Sequence, residues 1–497
     1  MKHFQTDATL TWKLYFVAFL IVCLGVWLRV LAAGGDLWLD EIWSLNHAQF
    51  MTAWHEAFWK IIHDNNHPFN TLYLYLLGPG HPQWMYRLFS ICAGGLSIMA
   101  AGWAVAPREK AAILPAMLIT AVIFPLVQFG SEARGYSLMI ACVFIATGAI
   151  QRTHKPGMRW LFAGAVLVGF WSHLSILPVA FMLCVAYGLD QWLDQRRFMC
   201  TFDKTVHFAA PSAAALSVAL IFLILGLATI DGQGWYGGLA RGCPQQGCFL
   251  LAWMELFIFS TGGMWNGNAP ETIFATYIAI GLIVACVIVL QSVGHPRRYI
   301  YVTGIIGTAL LFLAAGLPTD PFGRYFLSIY ALILLLVADV IAQAQHRLSF
   351  GRVISWGALI ILIGVNVWTL HRFLPQARGT YTEAYQHILN TTPFNPITIG
   401  SDMRFRFATV FDFVHNRSGI ERQVVHINPS DVSRKRPEWL VSVLQIQPHI
   451  QSTVCLSGKR NGTMPIIYRL ETVYPHGGMS GITWSVYRKT SGTQPDC

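Results

Sequence analysis

The sequence predicts a polytopic α-helical membrane protein with a small soluble α/β domain at its C-terminal end. Three observations predict it. The 497 residues are 54% hydrophobic and only 12% charged, with a mean hydropathy of +0.48, which is far too apolar for a set of soluble domains. Apolar runs of about 20 residues, enough to cross a bilayer as a helix, recur until about residue 374. Beyond that point 13 Lys/Arg and 8 Asp/Glu fall within 123 residues, and no run there could span a membrane. The net charge of +10 does not point to nucleic acid, because the basic residues sit singly and in pairs between apolar segments instead of forming a stripe.

The first apolar run, Leu14 to Leu31, is long enough to span and lacks a short core followed by a small-residue cleavage site, so it reads as an uncleaved first helix. The loop after it, about 32–84, is too long for a connector. It carries Trp38, Trp43, Trp54 and Trp59 with His47, His55, His63 and His67, the pattern of amphipathic helices lying along a membrane surface. Further spans are expected at about 85–106, 111–130, 135–151, 159–173, 174–193, 207–230, 272–293, 299–317, 325–345 and 353–374, about eleven in all, with 249–260 as a re-entrant or interfacial segment. This gives a membrane domain over 1–374 and a soluble domain over 375–497. In the latter, helices are expected at Thr382–Asn390 and Met403–His415, the second capped by Ser401 or Asp402. They alternate with strands at Ile397–Ile399, Val424–Ile427, Trp439–Leu444, Ile466–Val473 and Ile482–Tyr487.

Lys and Arg in short loops resist translocation, so alternate loops should be basic. One set holds Arg108, Lys110, Arg152, Lys155, Arg159, Arg196, Arg197, Lys204, Arg297, Arg298, Arg347 and Arg352, and the other only Lys60, Arg134, Arg241 and Arg324. Twelve against four places the N-terminus in the cytoplasm and residues 375–497 outside. Ten of the sixteen acids before residue 375 lie in or beside the outer loops, which is where chemistry is expected. Outside, Cys243 with Cys248 and Cys455 with Cys497 could form disulfides in an oxidising compartment.

Four places could carry chemistry. Asp40 and Glu41, adjacent carboxylates near the bilayer among aromatics, are costly to hold there unless they bind something, and such a group suits a general base; the plainer use is helix capping by Asp36 or Asp40. His63, Asp64, Asn65, Asn66, His67 and Pro68 form a polar cluster before the apolar segment Phe69–Leu77. His63 and His67, spaced i, i+4, could hold a divalent metal with Asp64 or Glu56 if the segment is helical, whereas Pro68 and the two Asn favour a turn and contacts to substrate hydroxyls. No other cofactor is implied. The short turn Gly130 to Tyr136 holds Glu132 and Arg134, and the turn Leu317 to Tyr325 holds Arg324. Outer-side arginines run against the topology bias, so a stabilising anion such as phosphate is expected at both, the plainer use being snorkelling to headgroups. His173 reads as a hydrogen-bonded interfacial residue.

At these residues the chain resembles the GT-C superfamily of polytopic glycosyltransferases, and within it the family 39-like bacterial proteins similar to dolichyl-phosphate-mannose protein mannosyltransferases and lipid A aminoarabinose transferases. The match consists of Leu39-Asp40-Glu41 after the first helix, His67-Pro68-Phe69 followed by Leu72-Tyr73-Leu74, Ser131-Glu132-Ala133-Arg134-Gly135-Tyr136-Ser137-Leu138, and Arg324-Tyr325-Phe326-Leu327, in that order along residues 1–345. Members commonly have a second Pro where Phe69 stands and often a Met where Gly135 stands. The resemblance implies a GT-C-like fold in a bacterial cytoplasmic membrane. It also implies inverting transfer of a sugar from a polyprenyl-phosphate donor to a glycolipid, glycan or protein acceptor at the outer face. Asp40 would be the base with Glu41 orienting the site, Arg134 and Arg324 would hold the phosphate, and His67, Glu132, Tyr136, Tyr325 and His63 would contact sugar or acceptor. Two other classes compete. A transporter or lipid flippase would show internal repeats and charges at mid-depth, whereas the charges here gather at the outer rim. A membrane scaffold would bind a partner through 375–497 and would tolerate loss of Asp40.

Overall fold

The computed structural model describes residues 2–490 apart from 60–66, 108, 196–197, 229–244, 263–269, 293, 296, 316–321, 348, 394, 421, 444–449 and 457–465. The chain is mostly helical and forms two compact units, one of residues 1–33 and 47–370, the other of residues 34–46 and 371–497. The short segment 34–46, which the sequence assigns to the membrane domain, thus belongs to the second unit.

The helices run α1 (Lys2–Ala32), α2 (Leu39–Gln49), α3 (Pro68–Leu77), α4 (Gln83–Val105), α5 (Ile113–Val122), α6 (Phe124–Phe129), α7 (Tyr136–Ile150), α8 (Met158–Ser172), α9 (Ile176–Gln195), α10 (Phe198–Ala228), α11 (Gln245–Ser260), α12 (Pro270–Ser292), α13 (Arg298–Tyr301), α14 (Thr308–Ala314), α15 (Leu327–Arg347) and α16 (Gly351–Phe373). Among the described residues six helical stretches are long and apolar enough to cross a membrane: Trp12–Ala32, Gln83–Val105, Ile176–Leu193, Thr201–Phe222, Gly323–His346 and Gly351–Phe373. Shorter apolar helices accompany them, among them Tyr136–Ile150 and Phe249–Ser260.

The span expected at 111–130 is broken in two. Ile123 is extended (φ −61°, ψ 124°) and Pro125 lies in the first turn of α6, where its missing N–H costs nothing. A broken helix in an apolar surrounding must satisfy its freed backbone groups internally. Asn366 accepts the Phe124 N–H at 2.7 Å and donates to Ser260 O, while the Arg29 guanidinium donates to Thr120 O and Ala121 O, both at 3.1 Å. Arg29 fits because Gly94 and Gly130 line its path, and a Cβ at either would collide with its side chain.

Elsewhere in this unit Arg297, one of the basic residues in the loop count, is fully buried. Its guanidinium pairs with the Asp339 carboxylate, with Nε donating to Oδ2 at 2.6 Å, and also donates to Val105 O at 3.0 Å and Gln151 Oε1 at 3.4 Å. The Tyr301 hydroxyl donates to the same carboxylate. Arg152, another member of that loop count, covers the Trp103 ring and donates to Trp103 O at 2.6 Å.

The second unit adds α17 (Tyr381–Thr391), β1 (Ile397–Ser401), α18 (Arg404–Ser418), β2 (Val424–Ile427), α19 (Val432–Lys435), β3 (Trp439–Ser442), β4 (Thr453–Leu456), β5 (Ile466–Tyr474) and β6 (Trp484–Thr490). The sheet order is β2-β1-β3-β6-β5-β4, with β2, β1 and β3 parallel and the rest antiparallel. Strand alternation sends Trp484 toward Tyr381 and Phe407 of the helices, and Tyr487 into a cluster with Ile427, Val432 and Leu440 on the other face. Two expectations are corrected. Neither Ser401 nor Asp402 caps α18, which follows Met403; the Asp402 carboxylate instead accepts Ser442 Oγ–H at 2.5 Å and Val443 N–H at 2.9 Å, securing the end of β3. Strand β4, absent from the sequence reading, pairs with β5. Cys455 on β4 is disulfide-bonded, and Cys497, Cys243 and the metal candidates His63 and Asp64 lie outside the described residues.

Candidate functional site

Within the first unit, the turn between α6 and α7 is built by its neighbours. Asn70 Nδ2 donates to Ala133 O at 2.6 Å and Ser90 Oγ to Arg134 O at 2.5 Å, so two buried side chains from α3 and α4 fix the backbone that carries Glu132 and Arg134. Both residues are buried, Glu132 completely. Gly135 is dictated by space: a Cβ there would collide with the Ser172 carbonyl oxygen and stand 3.0 Å from His67 Nδ1.

His67 precedes Pro68 at the start of α3 and is 1% exposed. Its Nδ1 lies 2.8 Å from Ser172 O, and a carbonyl only accepts, so Nδ1 carries the proton and Nε2 is the acceptor nitrogen. His173, in the turn after α8, has the opposite tautomer. Its Nδ1 accepts Ser175 N–H at 3.2 Å and lies 2.8 Å from Ser175 Oγ, which leaves the proton on Nε2. The two imidazoles stack at 5.2 Å, and Tyr136 packs against both, 4.6 Å from His67 and 5.1 Å from His173.

Burial, then the Arg134 guanidinium, holds His67 well below the usual histidine range, with His173 and Arg324 adding to the effect. His173 is pushed down to about 3 by burial, then by Arg134 and Arg324. Both imidazoles are therefore neutral at ordinary pH, and both feel the same two arginines, which come from segments far apart in the chain.

Arg324 sits in the turn Gly323–Phe326 at the head of α15, its guanidinium carbon 4.2 Å from the Phe322 ring centre and 5.6 Å from that of Tyr325. Tyr325 in turn faces His173 at 6.4 Å. This turn is held by a residue the sequence reading left among the outer acids: Glu255 on α11 accepts the Gly323 N–H at 2.5 Å and lies near enough to Arg324 and Glu132 to feel both charges. A Cβ at Gly323 would press on Leu256 and the Glu255 carboxylate, so the close approach requires glycine.

Of the sequence-predicted site residues, the structure thus gathers His67, Glu132, Arg134, Tyr136, Arg324 and Tyr325, and adds His173 and Glu255. Asp40 and Glu41 belong to the second unit. There Trp38 O accepts the Glu41 and Ile42 amides at 3.0 Å, and the fully buried Glu41 carboxylate returns to Trp38 N–H at 3.2 Å, the reciprocal bond of a capping box. Glu41 is the helix-capping member of the pair; Asp40, half-buried one residue before it, starts the helix with Ser44 Oγ donating to its carbonyl at 2.8 Å. Among the described residues no three His, Cys, Asp or Glu side chains converge as metal ligands.

No family model and no curated protein matches the chain. Solved structures similar to it include an Archaeoglobus fulgidus oligosaccharyltransferase in complex with Zn and sulfate (12% identity, TM-score 0.43, 86% of this chain and 67% of that one), and the archaeal oligosaccharyltransferase AglB from the same organism in complex with an inhibitory peptide and a dolichol-phosphate (11%, 0.44, 87% and 69%). Likenesses at this level fix neither fold nor activity.

Proposed function

We propose that the protein is a GT-C-like inverting glycosyltransferase that moves a sugar from a polyprenyl-phosphate donor to a lipid, polysaccharide or protein acceptor at the outer face of a bacterial cytoplasmic membrane. The observation that carries this reading is that Arg134 and Arg324, far apart in the chain, both act on two buried imidazoles held neutral in the first unit. An anion with a lipid tail suits such a place: its polar head meets guanidinium donors while the tail stays among the helices.

In the reaction the acceptor oxygen attacks the anomeric carbon, the bond from that carbon to the phosphate oxygen breaks, and polyprenyl phosphate leaves with the electron pair. Arg134 and Arg324 stabilise the charge that grows on the leaving oxygen. Asp40 takes the acceptor proton, and Glu41 holds the first turn that presents Asp40. His67, with Nε2 as an acceptor, together with Glu132, Tyr136, Tyr325 and His63, contacts hydroxyls of sugar or acceptor. The N-terminus is cytoplasmic and the second unit extracytoplasmic, in keeping with the loop-charge bias.

Mass spectrometry of membrane glycolipids, polymers and glycoproteins from cells with the wild-type gene, without it, and with Asp40→Asn tests the reading. One glycan modification should vanish in both altered strains at unchanged protein abundance. Identical glycans in the Asp40→Asn and wild-type cells would remove the catalytic reading.

A further inference from the structure

The segment that carries Asp40 is fastened to the soluble unit by one carboxylate. Helix α17 begins without a side-chain cap of its own, since Thr380 makes no capping hydrogen bond. Its first-turn donors are met instead by Asp36: Thr382 N–H donates to Asp36 Oδ2 at 2.7 Å and Thr382 Oγ–H to Oδ1 at 2.8 Å. Both carboxylate oxygens are thus used at a helix N-terminus, where exposed amides and the positive end of the helix dipole favour an anion. The expected capping by Asp36 does occur, on a helix far along the chain and not on α2.

Neighbouring contacts repeat the tie. A Cβ at Gly35, which has φ +78°, would lie 2.9 Å from Ala377 Cβ, so the chain passes the soluble unit at backbone distance there. Tyr381, fully buried beside Trp484, has its pKa raised by burial and further by the charges of Asp36 and Glu41, which places both carboxylates next to its phenol. One turn beyond Asp40, Trp43 packs on Phe405 of α18 at 4.7 Å. From Gly35 to Trp43 the segment is held by α17, α18 and the residues just before them.

We propose that Asp36 is a positioning residue. It caps α17 from outside and thereby makes the Asp40 turn a rigid part of the soluble unit, so that the soluble unit positions the base of the transfer reaction. The Asp36 clamp gives the soluble unit a part in the chemical step. The clamp is geometrically demanding. Thr382 must offer both a backbone and a hydroxyl donor on one side of the first turn, and Asp36 must stand four residues before Asp40 so that the chain can leave the clamp and begin α2 at Leu39.

This proposal rests on the reading of Asp40 as base, and Asp40→Asn measured alongside separates the two failures. Purified full-length protein in nanodiscs would be assayed for transfer, for polyprenyl-phosphate binding and for hydrogen exchange at residues 38–46, using Asp36→Ala, Asp36→Asn, Thr382→Val and the Asp36→Ala/Thr382→Val double variant. The expected result is a fall in kcat of at least about tenfold for Asp36→Ala with donor affinity unchanged. Smaller falls are expected for Asp36→Asn, which keeps an acceptor oxygen, and for Thr382→Val, which keeps the backbone donor. The double variant should be no worse than Asp36→Ala, because the two residues make one interaction, and exchange across 38–46 should speed up in the same order. If Asp40→Asn abolishes transfer while the folded Asp36→Asn and Thr382→Val proteins keep wild-type kcat and exchange, the positioning role is overturned. If Asp40→Asn is itself fully active, the base assignment falls first. Should Asp36→Ala fail to fold, the two near-isosteric variants still decide the matter, since loss of donor affinity in step with kcat would reduce the clamp to general scaffolding.

Discussion

Two buried clusters of charge lie in the membrane unit, and they are built on opposite principles. Around Arg297 a guanidinium meets a carboxylate, a phenol, a side-chain amide and a backbone carbonyl, with both members of the ion pair inaccessible to solvent. Around Arg134 and Arg324 the rings of Tyr136, Phe322 and Tyr325 lie nearest, and the two imidazoles that pack against Tyr136 are kept neutral by burial and by the arginines themselves. The first is an internal lock in which every charge has a fixed partner. The second brings two guanidinium groups, which can donate to an anion, near two neutral imidazoles of opposite tautomer, with Nε2 an acceptor on His67 and a donor on His173.

The sharpest way to break that contrast is to truncate one arginine of each kind. Arg297→Ala leaves Asp339 as a buried carboxylate without its partner, and breaking a buried pair typically costs about 3–5 kcal/mol. The variant should lose most of its thermal stability in detergent, whereas Arg297→Met with Asp339→Leu, which removes both charges, should recover much of it. An Arg297→Ala protein as stable as wild type would dismiss the lock. Arg324→Ala should behave the other way, folding normally but losing about 1.5–3 kcal/mol of donor binding and more of the transition state. Arg324→Lys, which keeps the charge without the planar fork, should retain part of the activity.

Packing sharpens the same comparison at smaller scale. Gly135→Ala forces a methyl onto the Ser172 carbonyl and toward His67, an overpacking that typically costs about 1–3 kcal/mol, so melting temperature and transfer should fall together. The smallest expected effect is on acid stability. The pKa of His173 drops from its usual value to about 3 on folding, so below about pH 6.5 the unfolded chain takes up a proton that the folded chain refuses. Stability is therefore full above that pH and falls as pH drops toward 3, with a slope of at most one proton from this group. His173→Gln should flatten that slope in urea-unfolding curves recorded between pH 7 and 4; an unchanged slope would mean that the ring is charged in the folded state.

Much of this was legible in the chain. Apolar run lengths located the helical segments, and the alternation of aliphatic and polar residues located most strands of the second unit, because both depend on local periodicity. Arg134 and Arg324 were visible as arginines on the side poor in base. His173 and Glu255 were not, since a lone histidine in a turn and a lone acid in an apolar helix gain meaning only from the Ser175, Gly323 and Arg324 neighbours that packing supplies. Charge counting likewise could not show the Asp339 partner of Arg297, because a basic residue beside a loop looks the same in sequence whether it faces water or an aspartate on another helix. The Asp36 clamp was hidden for the same reason: its partner, Thr382, lies at the far end of the chain.

The most direct measurement is the binding of polyprenyl phosphate and of the uncharged polyprenol to wild-type protein, Arg324→Ala and, as a control that also lacks a buried arginine but keeps the net charge, the Arg297→Met/Asp339→Leu double variant, all in nanodiscs. If Arg134 and Arg324 hold the donor phosphate, wild type and the control bind the phosphate alike, Arg324→Ala binds it about 10- to 100-fold more weakly, and the neutral polyprenol does not distinguish the three. Equal affinity of Arg324→Ala and wild type for polyprenyl phosphate, or an equal loss for polyprenol, would contradict the account.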